Sequence, residues 1–191
     1  MIRQINLIVE DMILLSTTDS CAANNRSNVK WKAPPFGKFI LNVDGSCDQS
    51  GVIGSGGLIR DAVGNWVAGL SSNDGCGDAF IAKLFGIYNG LVLLINNLVL
   101  HVECETDSTE IINLLMDRQS HFFHAYASLL VKITSLLDHL SGLVFKHVLR
   151  EGNVCADFLA RLGRNSTLGV TTWVTPPDGL LSLLNFDAFD F

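Results

Sequence analysis

The sequence predicts an α/β fold: a mixed five-stranded sheet, three antiparallel strands and then parallel ones, with helices on both faces. Three observations point there. Three strand-like runs joined by short, turn-rich links occupy residues 38–72. Helical runs then alternate with two further strand-like runs across residues 78–162. The chain has 191 residues, 48% hydrophobic and 17% charged, which suits one core.

Each element follows from a local pattern. Pro34 and Pro35 bar helix and set an extended entry. In the first strand, Lys38–Ser46, Phe39, Leu41 and Val43 alternate with Ile40, Asn42 and Asp44. Gly51–Asp61 is a second, glycine-rich strand. Asp61-Ala-Val-Gly64 reads as a hairpin turn into a third strand, Asn65–Ser72. Asp78 is a candidate N-cap. Behind it, Ala79, Ala82, Gly86 and Gly90 form a small-residue strip that allows close approach to a sheet, and Ile87, Leu91 and Leu94 widen the apolar face. Leu98–Asp107 is the fourth strand. Ser108 opens a helix to Arg118, and a longer helix is expected over about Phe122–Leu140. Gly142–Leu149 is the fifth strand and Asn153–Leu162 the last helix, with Ala156, Leu159 and Ala160 facing inward. The order βββαβααβα gives antiparallel hairpins followed by right-handed crossovers. The expected organisation is a tail and linker at 1–36, one domain at 37–165 and a C-terminal extension at 166–191.

Composition narrows the function classes. Net charge is −6, which does not favour a broad basic face. Mean hydropathy is high at +0.34, yet the longest apolar stretch, Leu91–Leu100, is interrupted by Asn96 and Asn97, and no run approaches the roughly 20 apolar residues of a spanning helix. No membrane association is expected. The amino terminus carries Glu10 and Asp11 within its apolar run and lacks signal-peptide features, which gives an intracellular expectation with the compartment open. The five cysteines, at 21, 47, 76, 104 and 155, form no C-x-x-C pair and read as reduced thiols.

Three acids stand at informative places. Asp44 lies inside the first strand, Asp107 ends the fourth and Asp157 sits one turn into the last helix. If those strands are neighbours, Asp44 and Asp107 converge. Buried carboxylates cost free energy unless paired or bound to metal, and close like charges raise one pKa. Mg²⁺ or Mn²⁺ suits such oxygen donors. Two ions about 3.5–4 Å apart can activate water and steady the leaving oxygen of a phosphodiester. A plainer reading stands beside this: Asp107-Ser108 suits a helix N-terminus, and Asp44-Gly45 suits a turn.

Five segments occur in order: NVDGS (Asn42–Ser46), GSGGLIRD (Gly54–Asp61), AKLFGIYNGL (Ala82–Leu91), ETDS (Glu105–Ser108) and HVLREGNVCADFLARLG (His147–Gly163). With WKAPPFGKF before them and Trp173 and Pro176-Pro177 after, they resemble the plant reverse-transcriptase-like branch of the ribonuclease H family over about residues 31–181. The resemblance implies metal-dependent cleavage of the RNA strand of RNA/DNA hybrids. It implies Asp44, Asp107 and Asp157 as catalytic metal ligands and His147 as an aid to product or proton handling. A strand-end polar residue is the plainer reading of His147. The family's backbone grip on a hybrid points to Gly45, Ser46, Asn73 and Arg150 as substrate contacts. Gly51, Gly54, Gly56 and Gly57 would allow close approach to phosphate, or equally serve sheet twist and bulges. Arg150 and Lys146 add a small basic spot, so binding of a hybrid or structured RNA is expected to be weak and salt-sensitive.

One position departs from the family pattern. Ala-Glu-Leu is replaced by Ala82-Lys83-Leu84. Lysine offers no ligand oxygen, and its ammonium would gain roughly 4 kcal/mol at about 4 Å from a carboxylate with an effective dielectric of about 20. It competes with a metal for Asp44 and Asp107, so one Mg²⁺ (or Mn²⁺) site is expected rather than two. Glu105 and Glu103 lie too far along the strand to substitute. Three readings follow: a hybrid endoribonuclease with impaired activity, a catalytically inactive nucleic-acid-binding module, or an interaction protein docking through residues 170–191.

Overall fold

The computed structural model describes residues 31–188, and the expected tail at 1–30 lies outside them. Three strands form the antiparallel meander: β1 (Phe39–Cys47), β2 (Val52–Arg60) and β3 (Trp66–Cys76). α1 (Ala79–Asn96) leads into β4 (Val102–Thr106), which lies parallel to β1 on its other side. α2 (Thr109–Met116) and α3 (Ala127–Leu137) lead to β5 (Val144–His147), parallel to β4. α4 (Val154–Arg164), β6 (Gly169–Trp173) and α5 (Leu180–Ala188) complete a sheet of order β5-β4-β1-β2-β3-β6.

The mixed α/β sheet matches the expected fold class, with one strand more. β6, from the segment expected to be an extension, pairs antiparallel with β3, Gly69 opposite Trp173 and Ser72 opposite Val170. Trp173 Nε1 donates to Ser71 Oγ at 3.0 Å and fixes that register. The helix expected from Phe122 begins instead at Ala127. A short 3-10 turn, Ser120–Phe123, precedes it, and His124 is extended (φ −83°, ψ 146°), which breaks helical continuity.

Helices cover both faces. On one, Leu41, Val43, Ile59 and Leu70 pack with Leu84, Ile87, Leu91 and Leu94 of α1 and with the buried stripes of α2 and α3. Gly86 sets the depth of α1: a Cβ there would lie 2.5 Å from the Asp44 carbonyl oxygen. α1 is long and apolar enough by composition to cross a membrane, but its buried face is the core contact of this sheet. On the other face, Leu58 packs with Cys155, Ala156 and Leu159 of α4 and Leu180 of α5. Arg60 sits within this layer at 1% exposure. Its guanidinium donates to Asp187 Oδ2 at 2.8 Å and Asn42 Oδ1 at 2.7 Å, and lies 3.7 Å from the Trp31 ring centroid. Arg60 thereby joins the entering chain, the sheet centre and α5.

Candidate active site

β1 and β4 run parallel with Asn42 beside Glu105, so two residues further on Asp44, within β1, and Asp107, just past the end of β4, come side by side. Asp44 is 1% exposed. α1 brings the third member. Its N-terminus is fixed by Asp78, whose carboxylate accepts from Ile81 N at 2.9 Å, and its backbone at Ala82 and Lys83 rests directly on Gly45. The Lys83 side chain therefore reaches between β1 and the end of β4. Its ammonium donates to Asp44 Oδ1 at 2.6 Å and to Asp107 Oδ1.

Burial pushes the Asp44 carboxyl above its ordinary value, the Lys83 charge works against that, and the Asp107 charge adds to it. Burial works against the Lys83 charge, but the two carboxylates outweigh it and hold the ammonium above its ordinary value. The two directions are compatible. Asp44 Oδ1 carries the bond to Lys83, and Oδ2 is buried without a hydrogen-bond partner.

The remaining acids are matched by arginines. Arg150 Nε lies 3.7 Å from Asp107 Oδ2, the oxygen that Lys83 does not use. Asp157 is held by Arg161 one turn later in α4, through Nε to Oδ1 at 3.2 Å and a second contact between Nη2 and Oδ2. Asn153 Nδ2 donates to Val43 O at 3.0 Å and anchors that end of α4 to β1. His147 ends β5 opposite Thr106, with an exposed ring. Glu105, further from the strand end, is 2% exposed and accepts from Asn42 Nδ2 at 2.8 Å, with Lys146 Nζ at 3.5 Å.

The structure thus brings Asp44 and Asp107 together, but around an ammonium, and gives Asp157 a partner of its own. The residues present do not fit a resident divalent ion. The space between Asp44 and Asp107 is occupied by Lys83, and no group of three or more His, Cys, Asp or Glu side chains among the described residues could hold a metal.

The expected substrate contacts divide. Ser46 Oγ accepts from Arg164 Nη1 at 2.8 Å. Asn73 commits its amide to the chain after α4, donating to Arg164 O at 3.1 Å and Ser166 O at 2.9 Å. Gly45 is covered by α1 and Gly56 by α4, where a Cβ would lie 2.2 Å from Ala160 N, so both serve helix packing. Gly51 has φ +81° in the β1–β2 turn. Arg150 is 73% exposed and open to a ligand. Arg161 is the site residue that strand and helix placement alone overlooks; its four-residue spacing from Asp157 carried the signal.

Comparisons with known proteins bear on the family and the fold. Residues 42–163 match the family model described as reverse transcriptase-like. A curated Arabidopsis thaliana protein named for ribonuclease H is 35% identical over 161 residues, 83% of this chain and 26% of that protein. The chain therefore spans about a quarter of that relative's length. Among solved structures, the N-terminal RNase H domain of a Mycobacterium tuberculosis protein, fused to maltose-binding protein, superposes with a TM-score of 0.60 at 21% identity, over 67% of this chain and 94% of that one. A compost-derived RNase H1 in complex with an RNA/DNA hybrid superposes with a TM-score of 0.54 at 25% identity, over 66% and 96%.

Proposed function

This chain belongs to the reverse transcriptase-like branch of the ribonuclease H-like superfamily, and on that premise we propose that it is a nucleic-acid-binding module in which hybrid cleavage has been lost. One observation carries the proposal: the Lys83 ammonium bonds both Asp44 and Asp107. Metal-assisted phosphodiester hydrolysis needs carboxylate oxygens free for cations that activate water and steady the leaving oxygen. Here those oxygens face a fixed positive charge that can neither coordinate a water nor give up its proton readily, because the two acids hold it charged.

Nucleic acid remains the ligand class best supported. The family match includes the segments that carry the site, and a related fold has been captured on an RNA/DNA hybrid. Exposed Arg150 and Arg161 flank the strand ends where a backbone would pass. With a net charge of −6, affinity should be modest and fall steeply with salt.

The test is a labelled RNA/DNA hybrid incubated with the protein in Mg²⁺ and separately in Mn²⁺. The expected result is intact RNA strand together with a measurable mobility shift. Metal-dependent cutting by the unaltered chain would overturn the loss of cleavage. Lys83→Glu examines the cause, since it returns a carboxylate to the position and is expected to gain cleavage.

A further inference from the structure

Each of the three acids has a cationic partner. Asp44, Asp107 and Asp157 are opposed by Lys83, Arg150 and Arg161, each within ion-pair distance of its partner. The pairing is uneven in space. Lys83 is shared between Asp44 and Asp107, and Arg150 addresses the other oxygen of Asp107, so two cations meet at that one carboxylate. Lys83 has three N–H donors, and two are committed to Asp44 and Asp107. Arg150 is 73% exposed and turns only Nε toward Asp107, at 3.7 Å, which leaves the outer edge of its guanidinium for a ligand. An exposed contact of that length restrains an arginine weakly.

In a metal-dependent centre, bound cations let an anionic phosphodiester approach a set of carboxylates. Here side chains supply that positive charge. We infer that Lys83 and Arg150, on opposite oxygens of Asp107, form a docking point for a phosphodiester of bound nucleic acid that operates without a divalent cation. Guanidinium donors suit phosphate oxygens geometrically, and the third Lys83 donor adds a point charge beside them. The inference rests on the nucleic-acid reading above and adds to it the place of contact and independence from metal.

The experiment is fluorescence anisotropy of a fluorescein-labelled RNA/DNA hybrid titrated with the full chain, once in EDTA and once in Mg²⁺, over a series of salt concentrations. The same Kd is expected in both buffers. Arg150→Ala is expected to weaken binding in both and to reduce the slope of log Kd against log salt by about one, the signature of one lost phosphate contact. Arg150 is exposed, so this variant leaves the core untouched. Binding that appears only with Mg²⁺, or a salt slope unchanged in Arg150→Ala, would overturn the docking point while leaving the nucleic-acid reading intact. Absence of binding in both buffers would overturn the nucleic-acid reading itself.

Discussion

Lys83 donates to Asp44 Oδ1 at 2.6 Å across a contact in which α1 lies almost on the backbone of β1. The pairing is a consequence of helix depth. Gly86 and Gly45 let the two backbones touch, and the long side chain at position 83 then meets Asp44 and Asp107. With glutamate the same geometry would point a carboxylate at the two aspartates; with lysine it neutralises them.

Removing the charge while keeping the stem measures that neutralisation. Lys83→Met removes the cation from Asp44, which is 1% exposed, and leaves Asp107 with only the longer contact to Arg150. Breaking one side of a buried pair costs roughly 3–5 kcal/mol, and the partial exposure of Lys83 places this case toward the lower end. Urea denaturation should show a clear fall in midpoint. An unchanged midpoint would mean that the ammonium contributes nothing net.

A second buried pair holds the C-terminal helix. The side chains of Arg60 and Asp187 are 2% and 3% exposed and meet at 2.8 Å. Asp187→Ala would remove the carboxylate bonded to the guanidinium and leave it with Asn42, the Trp31 ring and the more distant charge of Glu105, at a cost of roughly 3–5 kcal/mol. The double variant Arg60→Met with Asp187→Leu should be less destabilised than Asp187→Ala, because no unpaired charge stays buried. Chemical denaturation of the two variants beside the unaltered chain checks both statements. If both variants unfold at the wild-type midpoint, α5 is not anchored by this pair.

What the sequence revealed depended on whether the signal was local. β1 to β4 were readable because their apolar residues alternate or run between turn residues. The approach of Asp44 and Asp107 followed from strand position, and the place of Lys83 beside them followed from the family pattern, in which an acid stands at that position. β6 was not readable: Gly-Val-Thr-Thr-Trp is an exposed edge strand, so no apolar alternation marks it. The late start of α3 was hidden because Phe122 to Tyr126 are as apolar and aromatic as a helix could be, and only the extended His124 backbone breaks them. Arg60 and Asp187 lie 127 positions apart, and no spacing rule joins residues at that separation. Asp157 looked like a metal ligand because its family position outweighed the arginine one turn away.

The depth of α1 can be tested apart from its charges. Gly86→Ala places a Cβ about 2.5 Å from the Asp44 carbonyl oxygen, which is backbone and cannot rotate aside. Overpacking of this kind costs roughly 1–3 kcal/mol, even though alanine favours helix over glycine by about 1 kcal/mol. A fall in thermal midpoint is expected. Because Lys83 is one turn earlier, the amide resonances of Asp44 and Lys83 should also move. A midpoint that rises, as helix propensity alone would dictate, would show that α1 does not sit at this depth.

The buried acids also set the sign of the pH response. Burial raises the Glu105 carboxyl above 4.5, and the Lys146 charge, the Asn42 hydrogen bond and the Arg60 charge offset this only in part. Asp44 is raised from 3.8, again chiefly by burial. An acid whose folded pKa exceeds its unfolded value holds its proton more tightly in the native state. Its contribution to stability is complete below the unfolded pKa and is lost as pH rises through the folded one. The protein should therefore lose stability from these two groups as pH climbs from near 4.5 toward neutrality. Glu105→Gln keeps an oxygen for the 2.8 Å bond from Asn42 Nδ2 and removes the titration. Its stability should fall less over that interval than that of the unaltered chain, with Asp44 supplying what slope remains. Urea midpoints measured across the interval decide the matter, and identical slopes for the two proteins would show that Glu105 ionises as readily when folded as when unfolded.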